Sequence, residues 1–254
     1  MRALSVAIEA ALSGGDILES YFGGEFEISF KGELDLVTQA DVESEAAILS
    51  ILKARMPDAS ILAEESGGPK GDASKRFVVD PLDGTTNFAH AYPMFAVSIG
   101  YEEDGEVRAA VVYDPVHKEL FTAESGRGAF LNGKKLDVSE TSEIRHALLT
   151  TGFPYDLKDD LEGNMRLFKK FMATARAIRR DGSAALDLCY VAAGRFDGFW
   201  EEKLGPWDTA AGALLVQEAG GQVTGMTGGS FHYSQKAIVA SNGRLHDQML
   251  AILS

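Results

Sequence analysis

Nine consecutive residues, Asp80-Pro81-Leu82-Asp83-Gly84-Thr85-Thr86-Asn87-Phe88, constrain this chain more than any other stretch. The apolar run Phe77-Val78-Val79 leads into them and reads as a buried strand ending at Asp80. A residue before proline is pushed out of the α region, so no helix starts at Asp80. Its carboxylate therefore stands at the carboxyl end of a strand, where open α/β sheets bind their ligands. Asp83 follows three residues later, and Gly84 has no side chain to keep a ligand away from the backbone. Thr85, Thr86 and Asn87 are helix-capping residue types, and free N–H groups at a helix start favour an anion. Within one turn of chain the stretch offers two carboxylates for a hard cation and an amide nest for phosphate.

The rest of the chain must build a core that presents this turn. At 254 residues it is long enough for one large domain or two intimate halves. The expected division is an N-terminal half of about 1–143, with the acidic turn, and a C-terminal half of about 144–254. The formal net charge of −14 argues against general binding of nucleic acid or anionic membranes, which rely on basic patches. Cys189 is the single cysteine, so no internal disulfide forms, and its apolar surroundings read as core. No apolar run has the length of a transmembrane helix. Glu9 and Gly14-Gly15-Asp16 break the N-terminal run that a signal peptide needs, so the expected location is cytoplasmic.

Periodicity supplies the elements. A helix is expected over Leu4–Phe22, with Gly14-Gly15 marking either a bend or the close approach of another element, and Gly23-Gly24 ending it. Phe26 to Asp35 alternates and reads as an exposed hairpin or a flap around Gly32. Thr38-Gln39-Ala40-Asp41 fits a capping box for a second helix that Pro57 stops. Ser60–Ala63 reads as a short strand ending at Glu64-Glu65. Phe95–Ile99, Val107–Tyr113 and Glu119–Ala123 read as antiparallel strands, with turns at Asp104-Gly105 and Asn132-Gly133. From about Ile144 strands and helices alternate. The later units include a helix opened by Gly182-Ser183, a strand ending at Glu201, and a helix opened by Pro206-Trp207-Asp208. The class is mixed α/β.

Five acidic residues fall at element ends: Asp41, Glu64, Asp80, Asp83 and Asp208. Magnesium prefers a few carboxylates, waters and substrate phosphate oxygens. Two such ions ~3.5–4 Å apart can hold the attacking and leaving oxygens of an in-line displacement. Taken singly, each residue also has a plain structural explanation. Asp208 serves equally as a helix cap, Asp41 as part of a capping box, Glu64-Glu65 as a solvated loop, Gly182-Ser183 as a turn and cap, and Asp80 to Gly84 as a turn.

Four blocks in combination are far more specific: Leu34 to Asp41, Leu62-Ala63-Glu64-Glu65-Ser66, Asp80 to Phe88, and Trp207-Asp208-Thr209-Ala210-Ala211-Gly212 continuing to Glu218-Ala219-Gly220-Gly221. With them the chain resembles the inositol monophosphatase family of magnesium-dependent phosphatases over nearly its whole length. Arg180 to Cys189 resembles the bacterial inositol-1-phosphatase branch. The resemblance implies a layered αβαβα sandwich, usually a homodimer, and two to three Mg2+ ions per site. It implies that Glu64, Asp80 and the Leu82 carbonyl hold one ion. Asp80, Asp83 and Asp208 hold a second, and Glu64 borders a more hydrated third. Thr85, with Asp41 behind it, would orient and help deprotonate the attacking water, and the Gly84 and Thr85 amides would cradle the phosphate. Asp83, Gly182, Ser183, Ala184, Glu201 and Asp208 would contact the inositol ring, and Lys31 sits in the flap over the metals. The one departure is Ala91 after His90, where many relatives carry glycine.

The expected substrate is therefore a small phosphorylated polyol or sugar, with myo-inositol monophosphate first. Arg179 or Arg180, if turned inward, would bind a second phosphate and favour fructose 1,6-bisphosphate. Nucleoside 3′(2′),5′-bisphosphates, histidinol phosphate and NADP are further alternatives. A protein-binding role beside catalysis is the rival of a different class.

Overall fold

The computed structural model describes residues 2–30, 36–69, 74–153 and 161–254. Two large sheets alternate with three pairs of helices. Helices α1 (Arg2–Tyr21) and α2 (Gln39–Arg55) cover one face of a seven-stranded sheet of order β3-β4-β5-β6-β7-β8-β9. Its strands are Ser60–Ala63, Lys75–Asp83, Ala96–Glu103, Glu106–Asp114, Glu119–Glu124, Ala129–Leu131 and Lys134–Lys135. The β3–β4 pair is parallel and the rest are antiparallel. Helices α5 (Ala184–Ala192) and α6 (Pro206–Glu218) form the middle layer. Beyond them lies a five-stranded sheet of order β11-β10-β12-β14-β13, from Ala177–Arg179, Leu148–Thr151, Gly198–Glu202, Ala237–Ser241 and Gln222–Thr224. Helices α4 (Leu161–Thr174) and α7 (His246–Leu253) close its outer face. This is the αβαβα sandwich that the family resemblance implies.

Alternation explains why the seven-stranded sheet is buried on both faces. Val97, Ile99 and Tyr101 of β5, with Val111 and Tyr113 of β6, point to the α1–α2 side. Ala96, Ala110 and Val112 point to the α5–α6 side. Small residues on that side let α6 come close. A Cβ on Gly100 would stand 3.0 Å from the Cβ of Ala210, and one on Gly212 would collide with Leu188 of α5. Gly14 and Gly15 are close-approach sites and not a bend: a Cβ on Gly14 would strike Ile48 and Ser44 of α2, and one on Gly15 would strike Tyr113. Helix α1 runs unbroken through both.

Several boundaries differ from the periodicity reading. Strand β4 does not stop at Asp80. It slips register there and resumes pairing at Asp83↔Ala96, because Pro81 offers no N–H and the Asp80 carboxylate takes the Leu82 N–H instead. Thr85 is not a cap but the first residue of a short helix, α3 (Thr85–Ala89), and Gly84 occupies the cap at φ 99°. The expected hairpin exists as β1 (Ile28–Phe30) paired antiparallel with β2 (Leu36–Thr38). Its tip, with Lys31, lies outside the described residues. Both predicted tight turns are present, at Asp104-Gly105 and Asn132-Gly133, with positive φ at all four residues. Among the described residues no helix is long and apolar enough to cross a membrane.

Beneath β14, His246 is fully buried, with its two ring nitrogens 2.9 Å from Thr224 Oγ1 and 2.9 Å from Ser241 Oγ. Burial lowers its pKa, against a smaller opposing pull from Asp247. The unfolded chain then binds a proton in a pH range where the folded chain does not. Stability is lost as pH falls through the ordinary histidine value of about 6.5 towards the depressed one. The melting temperature of the wild type is expected to drop more between pH 7 and pH 5 than that of a folded His246→Gln variant. Equal slopes would contradict this assignment.

Candidate active site

The slipped register of β4 brings the chain to its acidic turn, and three other segments meet it there. From β4, Asp80 is buried and accepts the Leu82 N–H at 3.0 Å through Oδ1. Asp83 closes the strand. Its Oδ2 accepts the Ser183 hydroxyl at 2.5 Å and the Ala185 N–H at 2.8 Å, both from the start of α5. Asp208 comes from the first turn of α6 and accepts the Gly205 N–H at 2.7 Å. Ser98 of β5 holds that helix start by donating to the Trp207 carbonyl at 3.3 Å. One carboxylate oxygen from each of Asp80, Asp83 and Asp208 lies within 4.8 Å of the others.

The fourth segment is α2. Asp41 sits at its third position, in the predicted capping box with Thr38. Its Oδ2 accepts the Thr38 N–H at 2.8 Å and hydroxyl at 2.5 Å, and its Oδ1 lies 3.1 Å from Thr85 Oγ1. Thr85 Oγ1 also lies 3.0 Å from the Leu82 carbonyl. One hydroxyl proton thus has two acceptors in reach.

Burial and mutual repulsion act together on this cluster. The carboxyl of Asp80 is raised well above the usual range by burial first, then by Glu64, Asp83 and Asp208. Asp208 is raised by burial and by Asp83 and Glu64. Asp83 is pushed up to about 6 by burial, against the Ser183 hydroxyl and the Ala185 and Ala184 amides. Glu201, at the end of β12, is raised by burial and by Asp208 and Asp83, with Arg180 opposing. Several hard oxygen donors, crowded and short of positive charge, fit a divalent cation.

These groups line a cavity of about 510 Å3. Glu64, Leu82, Gly84, Thr85, Gly182, Ser183, Ala184 and Glu201 all border it, with Asp80, Asp83 and Asp208. Asp41 stands behind Thr85. Every residue expected at the site is therefore gathered here, apart from Lys31, which lies outside the described residues. Arg179 and Arg180 are both exposed, but Arg180 borders the cavity, with its guanidinium 5.8 Å from the Phe153 ring, whereas Arg179 turns back to the Ile178 carbonyl.

Some organising residues escaped the sequence reading. Asn87 donates to the Met94 carbonyl at 2.7 Å and the Asp181 carbonyl at 2.8 Å, tying α3 to the Gly182 turn. Gly152 leaves room for Glu201, whose carboxylate a Cβ there would strike. Ser44 donates to the Pro81 carbonyl at 3.0 Å. Only Ser44 carried a signal, a polar residue three positions after Asp41 on the helix face that also buries Ala40, Glu45, Ile48 and Leu52.

The model for the inositol monophosphatase family matches residues 2–254. The chain belongs to the inositol monophosphatase family. It is 44% identical over 254 residues to the inositol-1-monophosphatase of Synechocystis, covering 99% of this chain and 88% of that one. It is 45% identical over 251 residues to Nus factor SuhB of Escherichia coli K12, covering 98% of this chain and 94% of that one. The crystal structure of extragenic suppressor protein suhB from Bartonella henselae superposes with a TM-score of 0.95 at 42% identity, covering 100% of this chain and 99% of that one. The chain is thus an enzyme of a phosphatase family.

The crowding of carboxylates has a direct consequence for the metal-free protein. Asp80→Asn keeps the shape and the Leu82 hydrogen bond but removes one buried charge. It is expected to raise metal-free stability by about 0.5–2 kcal/mol, the usual gain from relieving a strained functional site. A lower melting temperature in chelator than wild type would contradict the repulsion.

Proposed function

We propose that the chain is a Mg2+-dependent phosphomonoesterase that hydrolyses myo-inositol monophosphate to inositol and phosphate. The observation that carries this reading is the approach of the Asp80, Asp83 and Asp208 oxygens to within 4.8 Å beside the Thr85–Asp41 contact. Glu64, Asp80 and the Leu82 carbonyl would hold one ion, Asp80, Asp83 and Asp208 a second, and Glu64 would border a third. When bound, Mg2+ supplies neutralisation of the phosphate charge and makes a nearby water more acidic.

The chain's own residues do the remaining work. Thr85 donates to Asp41 Oδ1, which turns a lone pair of Oγ1 towards the cavity to accept a proton from the attacking water. The same hydroxyl then passes its own proton to Asp41, held in place by Thr38. The Gly84 and Thr85 amides at the start of α3 would receive the phosphate. Gly182, Ser183, Ala184 and Glu201 would face the inositol ring together with Asp83 and Asp208. Ser183 and Ala185 fix the Asp83 carboxylate in one orientation, so the ring and the ions meet a rigid group.

A second reading is favoured by Arg180 in the cavity wall. A guanidinium there would bind a second phosphate and admit fructose 1,6-bisphosphate. The relatives called Nus factor SuhB support a protein-binding role in addition to catalysis. The proposal also includes a cytoplasmic homodimer, checked by sedimentation, which should give twice the mass of the chain.

Asp83→Asn is expected to abolish turnover in a folded protein, and retained turnover would refute the role given to Asp83. Thr85→Val should lower kcat by about 100- to 10,000-fold with a small change in KM, the range for loss of a general-base relay. An unchanged kcat would remove Thr85 from the proton path. Lithium is expected to inhibit at limiting Mg2+, because in the family that the chain resembles the second metal site admits it, and full activity in millimolar lithium would count against that inference. Phosphate release, measured with and without Mg2+, should be largest for inositol 1-phosphate among that ester, fructose 1,6-bisphosphate, adenosine 3′,5′-bisphosphate, histidinol phosphate and NADP. Release from none of them would overturn the proposal.

A further inference from the structure

Helix α2 turns three buried polar side chains inward, Asp41, Ser44 and Glu45, at spacing i, i+3 and i+4. Asp41 meets Thr85 and Ser44 meets the Pro81 carbonyl. Glu45 serves neither. Its Oε2 accepts the Glu65 N–H at 2.9 Å and its Oε1 accepts the Ser66 N–H at 2.9 Å. A buried carboxylate is costly unless it is hydrogen-bonded, and here two successive amides match its two oxygens. Those amides belong to the turn that follows β3, and Glu64 is the first residue of that turn. On its other side the turn is held by the Glu64 N–H to the Val79 carbonyl at 3.1 Å and the Ala63 N–H to the Gly67 carbonyl at 2.9 Å. The Glu64 backbone is clamped between β4 and α2.

We propose that Glu45 is a positioning residue for Glu64, fixing the turn that aims the Glu64 carboxylate at Asp80 and so setting the affinity of the acidic cluster for its first divalent cation. This rests on the metal reading above and assigns a residue outside the ligand set. The physical ground is repulsion. Glu64 adds negative charge to a site where Asp80 and Asp208 already feel it. Without a cation, Glu64 gains by turning towards water. The turn runs on into Gly67-Gly68, both at positive φ, a stretch with little intrinsic resistance to such a move. The Glu45 fork supplies that resistance before any ion arrives, which is preorganisation.

The test is Mg2+ binding to the full chain by isothermal titration calorimetry, without substrate, for wild type, Glu45→Gln, Glu45→Asp and Glu43→Gln. Glutamine keeps the shape, but it can accept only one of the two N–H groups and turns a donor on the other. Aspartate keeps the charge but withdraws it from the turn. Glu43 lies on the same helix with its carboxylate bonded to the Tyr21 hydroxyl and Gln39, so Glu43→Gln removes an equal charge without touching the turn. Both Glu45 variants are expected to bind the tightest Mg2+ about 10- to 100-fold more weakly, the usual effect of losing a group that orients a ligand. Glu43→Gln should bind as wild type does. In phosphate release, the half-saturating Mg2+ of the Glu45 variants should rise while kcat at saturating Mg2+ recovers towards wild type. A circular dichroism melt shows which variants fold, and Glu45→Asp carries the comparison if Glu45→Gln does not.

Unchanged affinity in a folded Glu45 variant overturns the proposal. So does an equal weakening in Glu43→Gln, which would mean charge at a distance rather than the clamp. A wild type that binds Mg2+ but releases no phosphate would overturn the phosphatase reading while the affinity comparison still decides the role of Glu45. A wild type that binds no Mg2+ would overturn both.

Discussion

Negative charges crowded out of water govern this structure. Asp80, Asp83 and Asp208 bring oxygens within 4.8 Å of one another in a buried site, and Glu64 and Glu201 add to the same field. A chain does not collect such groups for stability. Each is held by donors: local ones fix two of them, the Leu82 amide on Asp80 and the Gly205 amide on Asp208, and the Ser183 hydroxyl and Ala185 amide on Asp83 tie the acidic turn to a distant segment. The donors on Asp83 and Asp208 come from the first turns of α5 and α6, where unpaired N–H groups and the helix dipole favour negative charge.

The five-layer arrangement follows from that requirement. The acidic turn belongs to the first sheet and the helix starts belong to the middle layer, so the two must be pressed together. Small residues do this. Gly100 of β5 meets Ala210 of α6, and Gly212 of α6 meets Leu188 of α5. On the opposite face Gly14 lets α1 lie against α2 where Ser44 reaches the Pro81 carbonyl. Packing in the core and geometry at the site are therefore the same contacts seen from two sides. A wider residue at any of these glycines would move a helix and a functional group with it.

Much of this was legible in the residues, and what was not has physical reasons. Strands β5 to β7 stand out because alternation on a sheet buried on both faces keeps small and large apolar residues in turn. The Asn132-Gly133 and Asp104-Gly105 turns stand out because positive φ needs such residues. The capping role of Thr38 and Asp41 was visible in their spacing. The convergence of Glu64, Asp80 and Asp208 was not, since long-range contact leaves no local pattern, and only the family resemblance brought those segments together. The continuation of β4 to Asp83 was hidden because proline reads as a strand end, while here a side chain takes over the missing backbone bond. Gly152 and Asn87 were hidden because their roles exist only once β10, α3 and the Gly182 turn are side by side.

Segments far apart in sequence converge on one acidic site, and we propose that they hold divalent cations there. Crystals of the wild type soaked in Mn2+, with data collected at the manganese absorption edge, test it most directly. Anomalous peaks are expected between the carboxylates of Glu64, Asp80, Asp83 and Asp208. Peaks confined to other surfaces, or none beside Asp80 at a concentration that supports phosphate release, would contradict it.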